Sequence, residues 1–177
     1  RVYYLIAGTS AGRRIGTTVL RGVAGRVAAS NFRQTTVYRD YFNYSNSILN
    51  GSKSNHFGRL VTTAGDATTF GLNAVDFSAP TARVEVDVQG FTMTPHQIRV
   101  VLNNVEIGTL TGANRDLMTG AFEVPTANLI EGQNSLKLFS HDVSSNSFAE
   151  DIRITFNRKY TAADDRLSFY TTNYRQT

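Results

Sequence analysis

The sequence predicts an all-β fold, an antiparallel β-sandwich of the jelly-roll kind with about nine strands. Apolar and polar residues alternate with a period of two in several short runs, as they do in half-buried strands. Clusters of glycine, asparagine, serine and proline separate those runs. Helical spacing is confined to GVAGRVAASNF, which glycine interrupts. The length of 177 residues fits one domain with one core.

The first half of the chain predicts five strands, in the segments VYYLIAG, RIGTTVLRGV, TTVYRDYF, HFGRLVT and TFGLNAV. The clearest strand follows in ARVEVDVQG, where apolar and polar residues alternate without a break. Its core face is predicted to carry Ala82, Val84, Val86 and Val88. Its solvent face is predicted to carry Arg83, Glu85, Asp87 and Gln89.

Residues 97–110 predict a β-hairpin. Asn103 and Asn104 tolerate the positive φ angles that a tight two-residue turn requires. The core face of the first hairpin strand is predicted to carry Ile98, Val100 and Leu102.

Two further strands are predicted in NSLKLFS and DIRITF. In the first of these, the face away from the core carries Ser135, Lys137 and Phe139. Between the hairpin and these strands, VPTANLIEGQN predicts a loop that crosses one end of the sandwich. Leu129 and Ile130 are expected to cover the core at that end.

The chemistry of the site residues is restricted by what the chain lacks. It has no cysteine, which excludes disulfides, thiolate metal sites and cysteine nucleophiles within it. None of its three histidines has the spacing of a metal site, so the sequence predicts no metal and no cofactor. His96 and Arg99 are expected on the outward edge of the hairpin, with the His96 imidazole bonded to the preceding turn.

Ser10 is the one residue that matches a catalytic motif, since GTSAG has the G-x-S-x-G pattern of serine hydrolases. That motif requires a strand followed by a helix, whereas β-branched residues and a glycine follow Ser10. We therefore expect Ser10 to be inactive and the chain not to be an enzyme.

Every charged residue before Asp40 is an arginine, in a chain of formal net charge +4. This asymmetry fits either a face for an acidic partner or arginines spread over exposed strands. Aromatic residues beside these arginines could stack on a sugar. The residues predicted to contact a partner or ligand are Arg13, Arg14, Arg33, Arg39, Tyr38, Tyr41 and Tyr44. We expect no nucleic-acid partner.

A family resemblance rests on five stretches in a fixed order: TVYRDYF…SILNGSKSNHFGRLV, ARVEVDVQGFT, HQIRVVLNNVEIGTLT, VPTANLIEGQNSLKLF and AEDIRITFNRKYTA. In this order, residues 1–163 resemble the β-sandwich domain that precedes the catalytic domain in secreted gingipain-type cysteine peptidases and related secretion sortases. Residues 164–177 resemble the exit toward the next module of that family, or they form one extra strand.

The resemblance implies an accessory domain that packs on a neighbouring domain of the same polypeptide and positions it. The parent protein would be longer than this chain and would be secreted or held at the cell surface. No catalytic residue is carried over, because the chain has no cysteine. The alternative is a carbohydrate-binding module, which would have a glycan partner. No run of about 18 apolar residues occurs, so no membrane span is expected.

Overall fold

The computed structural model describes residues 29–49, 51 and 53–162. This part of the chain contains strands β1 (Asn31–Arg39), β2 (Asn43–Tyr44), β3 (His56–Phe57), β4 (Leu60–Val61), β5 (Asp66–Leu72), β6 (Thr81–Gly90), β7 (Pro95–Leu102), β8 (Val105–Ala113), β9 (Leu117–Pro125), β10 (Gly132–Ser140) and β11 (Ser147–Lys159). A single 3₁₀ turn at Thr126–Asn128 joins β9 to β10. The described residues include no helix that is long and apolar enough to cross a membrane.

The strands form two main sheets that pack face to face. The first sheet has the order β1-β11-β6-β9, with the short β4 also paired to β11. The second has the order β5-β10-β7-β8, and β2 and β3 form a separate pair. All of these pairings are antiparallel. The fold is therefore the predicted antiparallel, jelly-roll-like β-sandwich.

The core lies between the two sheets and is built by alternation along each strand. The inward residues of β6 are predicted correctly, since Ala82, Val84, Val86 and Val88 are at most 1% exposed. The predicted solvent face is wrong at its far end, where Asp87 and Gln89 are buried, at 9% and 4% exposure. The second sheet contributes the equivalent side chains Ile98, Val100, Leu102, Leu136 and Leu138. Burial of this apolar surface is the main force that holds the two sheets together.

The predicted hairpin is confirmed as β7 and β8. Asn103 and Asn104 have φ angles of 46° and 68°, as a tight turn between twisted strands requires. The Asn103 amide also fixes the neighbouring loop, because its Nδ2 donates to Asn128 O at 2.8 Å and to Asn134 Oδ1 at 2.7 Å. That loop covers one end of the core with Leu129, whereas Ile130 is 49% exposed, contrary to expectation.

His96 differs from its expected position, because it points into the protein and is 2% exposed. Its Nε2 faces two carbonyl acceptors, Asn114 O at 2.6 Å and Thr92 O at 3.2 Å. Its Nδ1 lies 2.7 Å from Ser145 Oγ. Nε2 must therefore donate, and in the neutral imidazole Nδ1 then accepts from Ser145 or from Ser147, whose Oγ lies 3.2 Å away. The expected structural role and the bond to the preceding turn are confirmed, and only the outward placement is wrong.

Two predictions about strands need correction. HFGRLVT does not form one strand but divides into β3 and β4, which pair with different partners. Strand β9 was not predicted, because Gly120 occupies one of its inward positions, where a Cβ would overlap Leu110 and Phe122. The missing side chain breaks the alternation that identifies a strand. The strands predicted before residue 29, Ser10 and the exit segment 164–177 all lie outside the described residues.

Candidate functional site

Tyr38, one of the predicted contact residues, ties together two edge strands. Its ring packs 4.8 Å from the ring of Phe70, and its hydroxyl donates to Gly71 O at 3.0 Å. Partial burial raises the pKa of this hydroxyl above its ordinary value. Because β1 and β5 are the adjacent edges of the two sheets, Tyr38 closes the sandwich at this side. These contacts give Tyr38 a structural role in the fold.

The predicted arginines do not form one basic surface within the described residues. Arg39 makes two hydrogen bonds to the Asp151 carboxylate, of which the Nη2–Oδ2 bond is 2.7 Å long. Arg33 lies on the outward face of β1 and is exposed. Arg13 and Arg14 lie outside the described residues. The structure therefore favours the alternative of arginines spread along an exposed strand for Arg33 and Arg39.

Tyr41, Phe42 and Tyr44 form an exposed aromatic segment after β1. Their side chains are 60%, 59% and 64% exposed, respectively. The Arg59 guanidinium lies over the Phe42 ring at 4.3 Å, and the Tyr44 ring lies 5.1 Å from the His56 ring. A cleft of about 380 Å³ between β1 and β5 contains Tyr38, Arg39 and Phe42 but not Tyr41 or Tyr44. The predicted residues thus only partly converge.

A second cleft lies on the outer face of the second sheet. It has a volume of about 480 Å³, within the range of small-molecule sites. We call it the Phe139 cleft, and its lining residues are Thr63, Gln97, Arg99, Glu106, Thr109, Phe139, Ser140 and His141.

Strand register brings the cleft together. Phe139 lies opposite Arg99, and Arg99 lies opposite Thr109 on the next strand. His141, just past the end of β10, donates its backbone N–H to Gln97 O at 2.9 Å. Inward neighbours such as Leu138 are buried, so alternation turns Phe139 outward.

Gly65 lies against one edge of the Phe139 ring. It has a φ of +82°, and a Cβ at this position would overlap the edge of the Phe139 ring. The turn before β5 therefore needs glycine, both for its conformation and for this close approach. The ring position is consequently set by the backbone as well as by its own strand.

The two charged side chains of the Phe139 cleft, Arg99 and Glu106, form only a weak ion pair. The Arg99 guanidinium lies 4.9 Å from the centre of the Phe139 ring. Arg99 Nη1 is 3.8 Å from Glu106 Oε2, and both side chains are about half exposed, at 53% and 54%. An ion pair of this length in water contributes little to stability. Both groups are therefore available to a ligand.

The cleft can bind by stacking and hydrogen bonding. It combines an aromatic ring with an amide, a carboxylate, a guanidinium, an imidazole and hydroxyl groups. Among the described residues, no group of three or more histidine or acidic side chains is placed to hold a metal ion.

Sequence reasoning placed Phe139 and Arg99 outward but did not identify the cleft. The available signal was an aromatic residue on the polar face of NSLKLFS. What the sequence lacked was the register that sets Phe139 against Arg99.

Comparison with known proteins supports the fold. No protein-family model matches the chain, and no curated protein sequence does. Among solved structures, the chain is similar to part of dimeric latent PorU from Porphyromonas gingivalis, with a TM-score of 0.62 and 10% sequence identity. The match covers 78% of this chain but only 14% of the PorU chain. At this identity the likeness concerns the sandwich fold alone.

Weaker matches include whole carbohydrate-binding modules. The CBM36-1 domain of a multidomain xylanase from the hindgut metagenome of Trinervitermes trinervoides gives a TM-score of 0.45 at 9% identity, covering 68% of this chain and 96% of that one. CBM35 from Cellvibrio japonicus Abf62 gives a TM-score of 0.45 at 11% identity, covering 73% of this chain and 100% of that one. Matches with such TM-scores carry no functional argument.

Proposed function

We propose that the chain is a non-catalytic carbohydrate-binding module of an exported protein and that the Phe139 cleft is its binding site. The observation that carries this proposal is the outward Phe139 ring set in a cleft of polar side chains. A sugar ring has an apolar C–H face that can stack on an aromatic ring, and hydroxyl groups around its rim. A site for it needs both kinds of group together.

The polar groups of the cleft suit those hydroxyls. Gln97 offers a carbonyl acceptor and an amide donor, Glu106 accepts, and His141 does either according to its tautomer. Their backbones belong to paired strands or lie next to one. A site on paired strands is held more rigidly than one on loops, which lowers the entropic cost of binding.

The test is affinity gel electrophoresis of the chain through polygalacturonate, glucuronoxylan, galactomannan and mixed-linkage β-glucan. We expect at least one polysaccharide to retard the protein and Phe139→Ala to abolish the retardation. Tyr44→Ala is the matched control, because it removes an exposed aromatic side chain elsewhere. Far-ultraviolet circular dichroism checks that each variant is folded. Migration unchanged by every polysaccharide, or normal retardation of Phe139→Ala, would rule the proposal out.

Domain docking is the second candidate, and the exposed aromatic segment Tyr41, Phe42 and Tyr44 favours it. Large aromatic side chains that are more than half exposed are common at protein contacts. In this role the chain would pack on a neighbouring domain of the same polypeptide and position it. The chain spans only 14% of the PorU chain to which it is similar, which suits a module of a longer protein.

Docking is tested by mixing the purified chain with the separately purified adjoining segment of its parent polypeptide. Isothermal titration calorimetry should detect binding, and Tyr41→Ser with Tyr44→Ser should weaken it. Phe139→Ala serves here as the control and should bind normally. Equal binding by the double variant and the unchanged chain would argue against docking through the aromatic segment.

A further inference from the structure

The placement of Arg99 carries an inference about which saccharide the Phe139 cleft prefers, and this inference rests on the proposed function. Within the part of the chain that the structure describes, the partners of the Arg99 guanidinium are the Phe139 ring at 4.9 Å and the Glu106 carboxylate at 3.8 Å. A planar guanidinium forms its strongest contacts as paired hydrogen bonds to a carboxylate. Arg99 has no such pair with Glu106 at this distance.

Arg39, in contrast to Arg99, has a guanidinium that is paired with a carboxylate. It donates two hydrogen bonds to Asp151. The Arg153 guanidinium likewise donates to Asp87 Oδ2 at 2.7 Å and to Asp151 Oδ2 at 3.1 Å. Arg99 is therefore an arginine whose capacity for a carboxylate is largely unused.

A sugar that stacks on the face of the Phe139 ring that Arg99 covers must displace the guanidinium from that face. A neutral sugar would then remove the cation–π contact and offer only hydroxyl groups in exchange. A sugar with a carboxylate would offer Arg99 a better partner than the one it lost. The geometry thus selects between the two kinds of sugar through a single side chain.

The charges around the cleft agree with an anionic ligand. Among the described strand residues that point outward from the second sheet, the charged ones are Arg99, Lys137 and Glu106. Asp142, next to His141, keeps its negative charge but does not line the cleft. Its carboxylate accepts hydrogen bonds from Ser144 N at 2.8 Å and Ser144 Oγ at 2.9 Å within its own loop. Glu106 is then the carboxylate with which a ligand would compete.

We infer that the Phe139 cleft binds acidic saccharides, with a uronic acid ring stacked on Phe139 and its carboxylate on Arg99. In this arrangement Arg99 exchanges Glu106 for the ligand. Glu106 acts as a competitor that weakens the binding of an acidic sugar, and it remains able to accept a hydrogen bond from a hydroxyl group.

The experiment compares trigalacturonic acid with galactotriose by isothermal titration calorimetry, because the two chains differ mainly in carrying carboxylates or hydroxymethyl groups. We expect the acidic trisaccharide to bind at least about tenfold more tightly, as a charged hydrogen-bonded pair allows. Arg99→Gln should remove this difference, and Glu106→Gln should strengthen acidic binding severalfold. Arg99→Lys should retain part of the preference, since it keeps the charge but loses the planar fork.

Lys137→Gln is the matched control. Lys137 lies opposite Val101, one outward row away from Arg99, and it does not line the cleft. A general attraction of the acidic sugar to positive charge would lower affinity equally in Lys137→Gln and Arg99→Gln, and this result would overturn the inference. Equal binding of the two trisaccharides would overturn it too while leaving saccharide binding in place. Binding of neither, together with no retardation by any polysaccharide, would overturn both proposals.

Discussion

The two outer faces of the sandwich carry clefts of similar size and different character. The cleft on the first sheet has a volume of about 450 Å³ and is lined by Arg83, Glu85, Asp87, Thr119, Gly120, Ala121 and Arg153. It contains no aromatic ring, and its charges pair with one another. The Phe139 cleft on the second sheet has about 480 Å³, one aromatic ring and one loosely paired arginine.

Arginine and acidic side chains are present in both clefts. They are tightly paired on the first face and weakly paired on the second, where they can contact a ligand. The pKa of Arg153 is raised chiefly by its hydrogen bond to Asp87, so this pair favours its charged form. A ligand at the first face would have to break such bonds and replace them. At the second face a ligand would replace only a weak ion pair of Arg99, because the Glu106 carboxylate is distant and solvated.

The largest expected effect tests the assignment of faces itself. Val86 is fully buried on β6 between the outward residues Glu85 and Asp87. Val86→Asp places an unpaired charge in the core and should lower the free energy of unfolding by more than about 4 kcal/mol, measured by urea denaturation. Glu85→Val, the matched change on the outward side, should leave the domain folded. Near wild-type stability of Val86→Asp would show that the faces are wrongly assigned.

Sequence alone predicted the faces well where alternation is unbroken. The inward residues of β6 and β7 and the Asn103-Asn104 turn follow from local pattern and backbone sterics, which the chain carries at each position. Strand β9 escaped because Gly120 leaves an inward position empty. The sequence did not predict the division of β3 from β4, because that division depends on pairing with distant strands.

The site was harder to predict than the fold. Tyr38 attracted attention as an aromatic residue near arginines, yet its ring is committed to Phe70. Phe139 and Arg99 are 40 positions apart in the printed sequence and meet only through the β7–β10 register. Such a meeting is fixed by sheet order, which no local pattern contains.

A medium effect distinguishes the charges of the two faces. Asp87→Ala removes the partly buried partner of Arg153 and should cost about 1–2 kcal/mol of stability, with no change in saccharide binding. Glu106→Ala, which removes the exposed partner of Arg99, should cost less than about 0.5 kcal/mol. Urea denaturation of both variants measures the contrast. Equal losses would mean that the two faces are not differently organised.

A smaller stability effect with a large effect on binding is expected for Gly65→Ala. The substitution strains a backbone at φ +82° and pushes on the Phe139 ring, at a stability cost of about 1 kcal/mol. Polysaccharide retardation should be lost because the ring is displaced. Gly71→Ala is the control, since a Cβ there meets nothing within 4 Å. Normal retardation of Gly65→Ala would show that the position of the ring is not set by this glycine.

The smallest effect concerns Glu150, a first-face carboxyl whose ionisation opposes folding. Burial is the main cause that raises the pKa of Glu150, at the β11 bulge, above its ordinary 4.5, with Arg39 acting in the opposite direction. A carboxyl with a raised folded-state pKa contributes its stabilisation below pH 4.5, and that contribution is lost as the pH rises through the folded-state pKa. Glu150→Gln should therefore stabilise the domain at pH 7 by less than about 0.5 kcal/mol, since the group is partly solvated, and should have no effect near pH 4. Thermal unfolding at both pH values measures this. An equal gain at both pH values would assign the effect to hydrogen bonding of the amide and not to the ionisation of Glu150.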